Sequence, residues 1–311
     1  MSAFIQLLFK GLEMGSVYAL ATLGIMLIFR TSVLTNFAQG VIGMFNAFVV
    51  SFLLTRLGWS IWLAVPIGLV TAFLTGVVVD LGIIRPARKV NSLSKQIITM
   101  GLVIVIVGIT PLFFGKLESD GARVFRFLNA GSIVILGTSI DYNIIFNIAL
   151  VVVILLALFL FMQKTRWGLA VRATASNSQV ARMMGIPTRM ITMGAWAIAA
   201  MLATLSAVLY APLFGNLNPG FMTSIQIAAF IACVFGGFQT FFGPVLAAYI
   251  LGISVNMAGY YGSSFFQLFF GDRISDDFGS QWGTQIVYVL IILFILFKPL
   301  GLIGKKIVKK V

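Results

Sequence analysis

The chain has no histidine, one cysteine and only eight acidic residues among 311. Without histidine there is no imidazole to act as a base, complete a catalytic triad or ligate a metal. Cys233 stands alone in an apolar run, so no disulfide can close within the chain and its redox compartment is unreadable. Charge is scarce too: 9% of residues are charged, against roughly 25% in soluble domains. What fills the chain instead is apolar, at 60% hydrophobic residues and a mean hydropathy of +1.08. A water-soluble fold could not cover that much apolar surface, so the solvent must be lipid. There is no nucleophile–base pair, metal cluster or mid-span pair of aspartates, which removes the usual chemistry of a membrane enzyme. No catalytic residue, metal or cofactor is expected.

A spanning helix needs about 20 mostly apolar residues, and in lipid the backbone must satisfy its own hydrogen bonds. The expectation is an all-α, polytopic transmembrane bundle of eight or nine spans, forming a single domain over residues 1–311. The apolar runs place spans near 4–29, 39–55, 61–84, 96–115, 143–162, 190–212, 223–238, 243–259 and 282–297. The first run has no small-residue cleavage site after it, so it reads as a retained span. Gly236, Gly237, Gly243 and Pro244 interrupt the seventh and eighth runs. That pair could be broken or re-entrant, which gives the lower count. Two connections exceed a tight turn, at about 116–142 and 259–281. The first contains "SIVILGTSIDY", whose β-branched run and glycine predict a short strand or hairpin.

Orientation follows from the basic residues. Arg30, Arg85, Arg88, Lys89, Lys95, Lys164, Arg166, Arg172, Arg182, Arg189, Lys298, Lys305, Lys306, Lys309 and Lys310 fall on one side, fifteen of the 21. Lys10, Arg56, Lys116, Arg123, Arg126 and Arg273 fall on the other, with most of the acids. The richer side is read as cytoplasmic, with the amino terminus outside and the carboxyl terminus inside. The net charge of +13 is then a topology signal with an attraction to anionic membrane lipid. No single basic face exists to bind nucleic acid.

A polar, cationic connection of about residues 164–190 is too long for a simple turn and falls on the cytoplasmic side. Within it, "SNSQVARMMG" predicts one short helix. Ser176, Asn177 or Ser178 can cap its start and Gly185 suits its end. Val180, Met183 and Met184 are spaced i, i+3, i+4 and form a small apolar face, with Arg182 off it. Pro187 can start the next helix, where its missing N–H costs nothing. Such a helix either docks into a groove on a soluble partner or rests on lipid headgroups.

The stretch "NSQVARMMGIPTRMITMGAWAIAAMLATLSAVLYAP" resembles the coupling loop and following helix of ABC-importer permeases for branched-chain amino acids, through Asn177, Ala181, Gly185 and Ile186. Thr204 and Ser206 stand where glycines are common in that family. "GLEMGSVYALATLG" is similar to its amino-terminal signature, and "NFAQG" to its Asn-Phe-Ala-His-Gly element with Gln39 for the histidine. "RPAR", "TMGL", "VFGGFQTFFGPVLAAYILG" and "LFKPLGLIG" follow in the family's order. The resemblance implies a permease subunit in a bacterial or archaeal cytoplasmic membrane. It implies as partners a second homologous permease, two cytoplasmic ATPases and an extracytoplasmic substrate-binding protein. The implied cargo is a branched-chain or other hydrophobic amino acid, with urea or short amides as the alternative within the family. The implied coupling residues are Asn177, Val180, Ala181, Met183, Met184 and Gly185. The chain itself should not hydrolyse ATP: at "PLGLIGKK", Pro299 and Lys306 break the G-x-x-x-x-G-K-[ST] pattern.

Polar groups in a span usually face the bundle interior. Asn36, Gln39, Asn46, Thr99 and Gln226 are therefore the candidates for the translocation path, the alternative being interhelical hydrogen bonding. Gln39 and Asn46 are seven residues apart and share a helical face. Glu13 and Asp80 are the only acids near spans, both placed near span ends, with Lys10 the expected neighbour of Glu13. An ion-coupled secondary transporter is the rival class; it would need an acid at mid-depth.

Overall fold

The computed structural model describes residues 2–128, 131–135, 137–270 and 275–303, with backbone alone for Arg88, Lys89, Phe269 and Phe270. Asp272, Arg273, Gly304 and the four lysines from Lys305 to Lys310 lie outside the described residues. The chain is overwhelmingly helical, as its lipid-like composition requires. In order come α1 (Ser2–Ser32), α2 (Gln39–Thr55), α3 (Ile61–Val79), α4 (Ser92–Ser119), α5 (Tyr142–Lys164), α6 (Arg166–Ser176) and α7 (Ser178–Met183). They are followed by α8 (Thr188–Phe214), α9 (Thr223–Gly236), α10 (Phe242–Phe270) and α11 (Phe278–Phe297). α3 runs on through one wide π-helical turn, Asp80–Ile84, and a 3-10 turn, Pro86–Lys89.

Each of the nine apolar runs is a helix, but several ends differ from expectation. α4 begins at Ser92, four residues early, because the Asn91 side chain caps it by accepting from the Ser94 N–H at 2.8 Å. α10 continues eleven residues past 259, so the long connection expected at 259–281 is mostly helix. Its Gly, Ser and Asp content predicts a connection, yet "YYGSSFFQLFF" continues the helix from the preceding turns. The expected hairpin is present: β1 (Ser132–Ile135) pairs antiparallel with β2 (Thr138–Asp141), Ser132 opposite Asp141. Seven of these helices are long and apolar enough to cross a membrane. α2 has 17 residues and α9 only 14. At 1.5 Å per residue α9 reaches about 21 Å, short of the ~30 Å hydrocarbon core.

The chain forms two compact units: residues 1–22, 128–150 and 228–311, and residues 23–127 and 151–227. In the first, α10 packs on α11, and the early turns of α1 meet α10 closely. A Cβ on Gly15 would lie 2.9 Å from the Tyr249 Cα, and one on Gly252 would lie 2.4 Å from the Gly15 N. In the second, α8 packs against both α2 and α3. Its core is Ile28, Leu34, Ile42, Ala72, Val79, Leu102, Trp196 and their neighbours. Small residues set this packing: Gly43 lies on Ala203 and Gly76 on Trp196 and Ala197. Thr204 and Ser206 are fully buried, so α8 keeps the close approach despite lacking glycines there.

Candidate coupling helix and polar cluster

The polar connection contains two helices, not one. α6 occupies its first half, its start capped by Thr165 Oγ1 accepting from the Gly168 N–H at 3.1 Å. Asn177 then breaks the run with an extended backbone, φ −157° and ψ 107°. Its Oδ1 accepts from the Gln179 and Val180 N–H groups at 3.0 and 3.1 Å, which starts α7. Of the three candidate caps, Asn177 is the one used. α7 ends in a Schellman turn: Ile186 N–H donates to Ala181 O at 3.0 Å and Gly185 N–H to Arg182 O at 3.1 Å. Gly185 takes φ +81°, which an L side chain rarely adopts. Pro187 is the cap of α8 and not its first helical residue; Thr188 takes that place.

Between these stops α7 has two sides. Ala181 is buried at 2% exposure, facing inward. Val180, Met183 and Met184 face out at 48%, 78% and 79%. Two bare methionines on a helix locked at both ends form an apolar patch held in one geometry.

The polar candidates lie in the second unit, and four of the five form one network around the turn between α1 and α2. Asn36 Oδ1 accepts from the Ala38 N–H at 3.0 Å, and its Nδ2 donates to Gln39 Oε1 at 3.2 Å. Gln39 Nε2 donates to the Ala199 carbonyl of α8 at 2.7 Å. Gly24 makes room for this: a Cβ there would fall 2.1 Å from that nitrogen. Thr99 Oγ1 of α4 accepts from the Phe37 N–H at 3.2 Å. Gln226 of α9 accepts from the Gly40 N–H and donates to the Asn36 carbonyl at 3.5 Å. Asn46 is apart from this network, bonded to Ile42 O at 2.9 Å and accepting from Thr71 Oγ1 of α3 at 2.9 Å. Gln39 and Asn46 share a face of α2 as expected but reach different helices. Asn36, Gln39, Asn46 and Thr99 are at most 1% exposed and Gln226 is half-buried, so in this conformation they face protein.

The acids are placed differently from expectation in one case. Asp80 ends α3 as expected, 3.3 Å from Arg85. Glu13 is not at a helix end: it lies eleven residues into α1, about 17 Å along it. It is 4% exposed and accepts from Asn147 Nδ2 of α5 at 2.7 Å. Sequence distance hid this pair, since Asn147 is 134 residues away.

The family model for the branched-chain amino acid transport system permease component matches residues 7–296. The chain belongs to that family. BraD of Pseudomonas aeruginosa, a high-affinity branched-chain amino acid transport system permease protein, is 29% identical over 99% of this chain and 98% of its own length. LivH of Salmonella typhimurium is 28% identical over the same shares. A probable LivH permease of Methanocaldococcus jannaschii is 27% identical over 92% of this chain and 88% of its own. A chain of PsaBC from Streptococcus pneumoniae, in complex with Fab, matches with a TM-score of 0.50 over 93% of this chain and 94% of that one. At 12% identity that is a likeness of fold alone. As a branched-chain amino acid permease the chain is a multi-pass membrane transport protein. Its α7 and the α1–α2 turn are two places where polar residues are held in order. Among the described residues, no group of three histidine, cysteine or acidic side chains is placed to hold a metal.

Proposed function

We propose that this permease works as the membrane subunit of an ABC importer for branched-chain or other hydrophobic amino acids. A separate extracytoplasmic binding protein delivers the cargo, a second homologous permease completes the pathway, and two partner ATPases drive it from the cytoplasm. The observation that carries the reading is the exposed Val180–Met183–Met184 face on a helix fixed by Asn177 and Gly185. An ATPase docked there turns nucleotide-driven motion into displacement of α8, which follows α7 after a four-residue link, Met184–Pro187. α8 in turn packs on α2 and α3, so the bundle can change access as that contact shifts. The network from Asn36 to Gln226 holds the α1–α2 turn beside this route, with Gln39 and Asn46 bordering it. The chain crosses the membrane with its amino terminus outside, as the distribution of basic residues directs.

Replacing Met183 and Met184 by Asp tests the coupling role. Burying a Met side chain contributes roughly 1.5–3 kcal/mol, and a few anchors carry most of a small interface. The double variant should lose its ATPases on co-purification, or keep them without substrate-stimulated ATP hydrolysis, while the membrane fold persists. Retained ATPases with normal stimulation would mean that the face rests on lipid.

A further inference from the structure

At the end of the second unit where α1 finishes and α4 and α8 begin, the helices enclose a cavity of about 180 Å³. Four cations line it: Arg85 after the wide turn of α3, Lys95 of α4, Arg182 of α7 and Arg189 of α8. One carboxylate lines it, Asp80, and Arg85 already lies 3.3 Å from it. Among the described residues, no carboxylate is paired with Lys95, Arg182 or Arg189. The rest of the wall is rich in hydroxyls, including Thr31, Thr174 and Thr188, each under a tenth exposed. Four cations lining one cavity match an oxyanion with several acceptor oxygens. The space greatly exceeds the ~10–15 Å³ that one water needs.

Within two residues of Ser32, Asp80 and Lys95 in the cavity wall, Val33, Leu81 and Leu93 are exposed at 64%, 41% and 66%. A soluble anion would gain nothing from such apolar neighbours, whereas a phospholipid with its phosphate inside would have chains to set against them.

We propose that this cavity binds the phosphate of an anionic phospholipid. Because Arg182 belongs to α7 and Arg85, Lys95 and Arg189 to the helix ends around it, a bound headgroup ties the coupling helix to the bundle. Lipid charge then tunes how firmly α7 is held, which is a property separate from its docking face.

The test uses the full chain, purified and delipidated in detergent. Short-chain phosphatidylglycerol, phosphatidylcholine with the same chains, and inorganic phosphate are titrated separately by native mass spectrometry. One tight phosphatidylglycerol site is expected, with phosphatidylcholine at least tenfold weaker. Lys95→Gln with Arg189→Gln should weaken phosphatidylglycerol about thirty-fold, from two lost charge contacts. The distant pair Lys10→Gln with Lys116→Gln removes the same charge and should leave affinity within threefold. Lys95→Arg with Arg189→Lys should retain binding, which separates charge loss from misfolding. Equal affinity for the two lipids, or equal loss in both Gln pairs, would overturn the proposal. Displacement of the lipid by an equal concentration of inorganic phosphate would assign the cavity to free phosphate and overturn the lipid assignment. Unchanged lipid binding in the Lys95/Arg189 Gln pair, with loss of co-purifying ATPase, would give the cavity to a protein partner.

Discussion

Gln39 acts at both ends of its amide: Nε2 on the Ala199 carbonyl, Oε1 on Asn36. Gln39→Leu removes both bonds at a side chain that is only 1% exposed. It leaves Asn36 Nδ2 without that acceptor, a cost of about 1–3 kcal/mol. Uptake should fall several-fold at near-normal membrane expression, with substrate binding by the separate binding protein unchanged. Uptake at the wild-type rate would reduce the network to plain packing. At this scale the sequence named the polar residues but not their partners. Helical arithmetic put Gln39 and Asn46 on one face, and they are. That one reaches α8 and the other α3 depends on how those helices cross, which no local spacing encodes. The Glu13–Asn147 contact was hidden for the same reason.

The helices themselves were far more legible. Lipid enforces long apolar runs, so all nine appeared in the composition before any geometry was known. Capping chemistry is the finer signal: Ser176, Asn177 and Ser178 are all able to cap α7 and Asn177 is the one that does, while Gly185 marks its end. The misses came where an apolar period weakens. α6 lies inside a polar stretch that reads as a connection, and the far end of α10 lies in a stretch whose Gly, Ser and Asp read as a connection too. What the helices do not give is their direction across the bilayer. The basic residues predict that single cysteines at position 179 in α7 and position 275 before α11 react from opposite sides. Cys233 is fully buried and provides a quiet background. Position 179 should label only from the cytoplasm and position 275 only from outside; cytoplasmic labelling of 275 would reverse the map.

At the scale of the molecule, family and composition agree on a multi-pass membrane transport protein. Histidine is absent, the phosphate loop is incomplete, and the polar groups are spent on holding turns and caps. Among the described residues, Glu13 is the one acid deep in a long apolar helix, and its burial against Asn147 is the natural place to look for ion coupling. Its hydrogen bond to Asn147 fits a packing role instead. The most direct measurement is leucine uptake into vesicles carrying the permease with its partner permease, ATPases and binding protein. Wild-type chain and Glu13→Gln are compared, with ATP supplied on the cytoplasmic side or with only a proton or sodium gradient imposed. The account predicts uptake that requires ATP, persists when the gradients are collapsed, and is retained by Glu13→Gln. Uptake driven by a gradient without ATP, and abolished by Glu13→Gln, would contradict it.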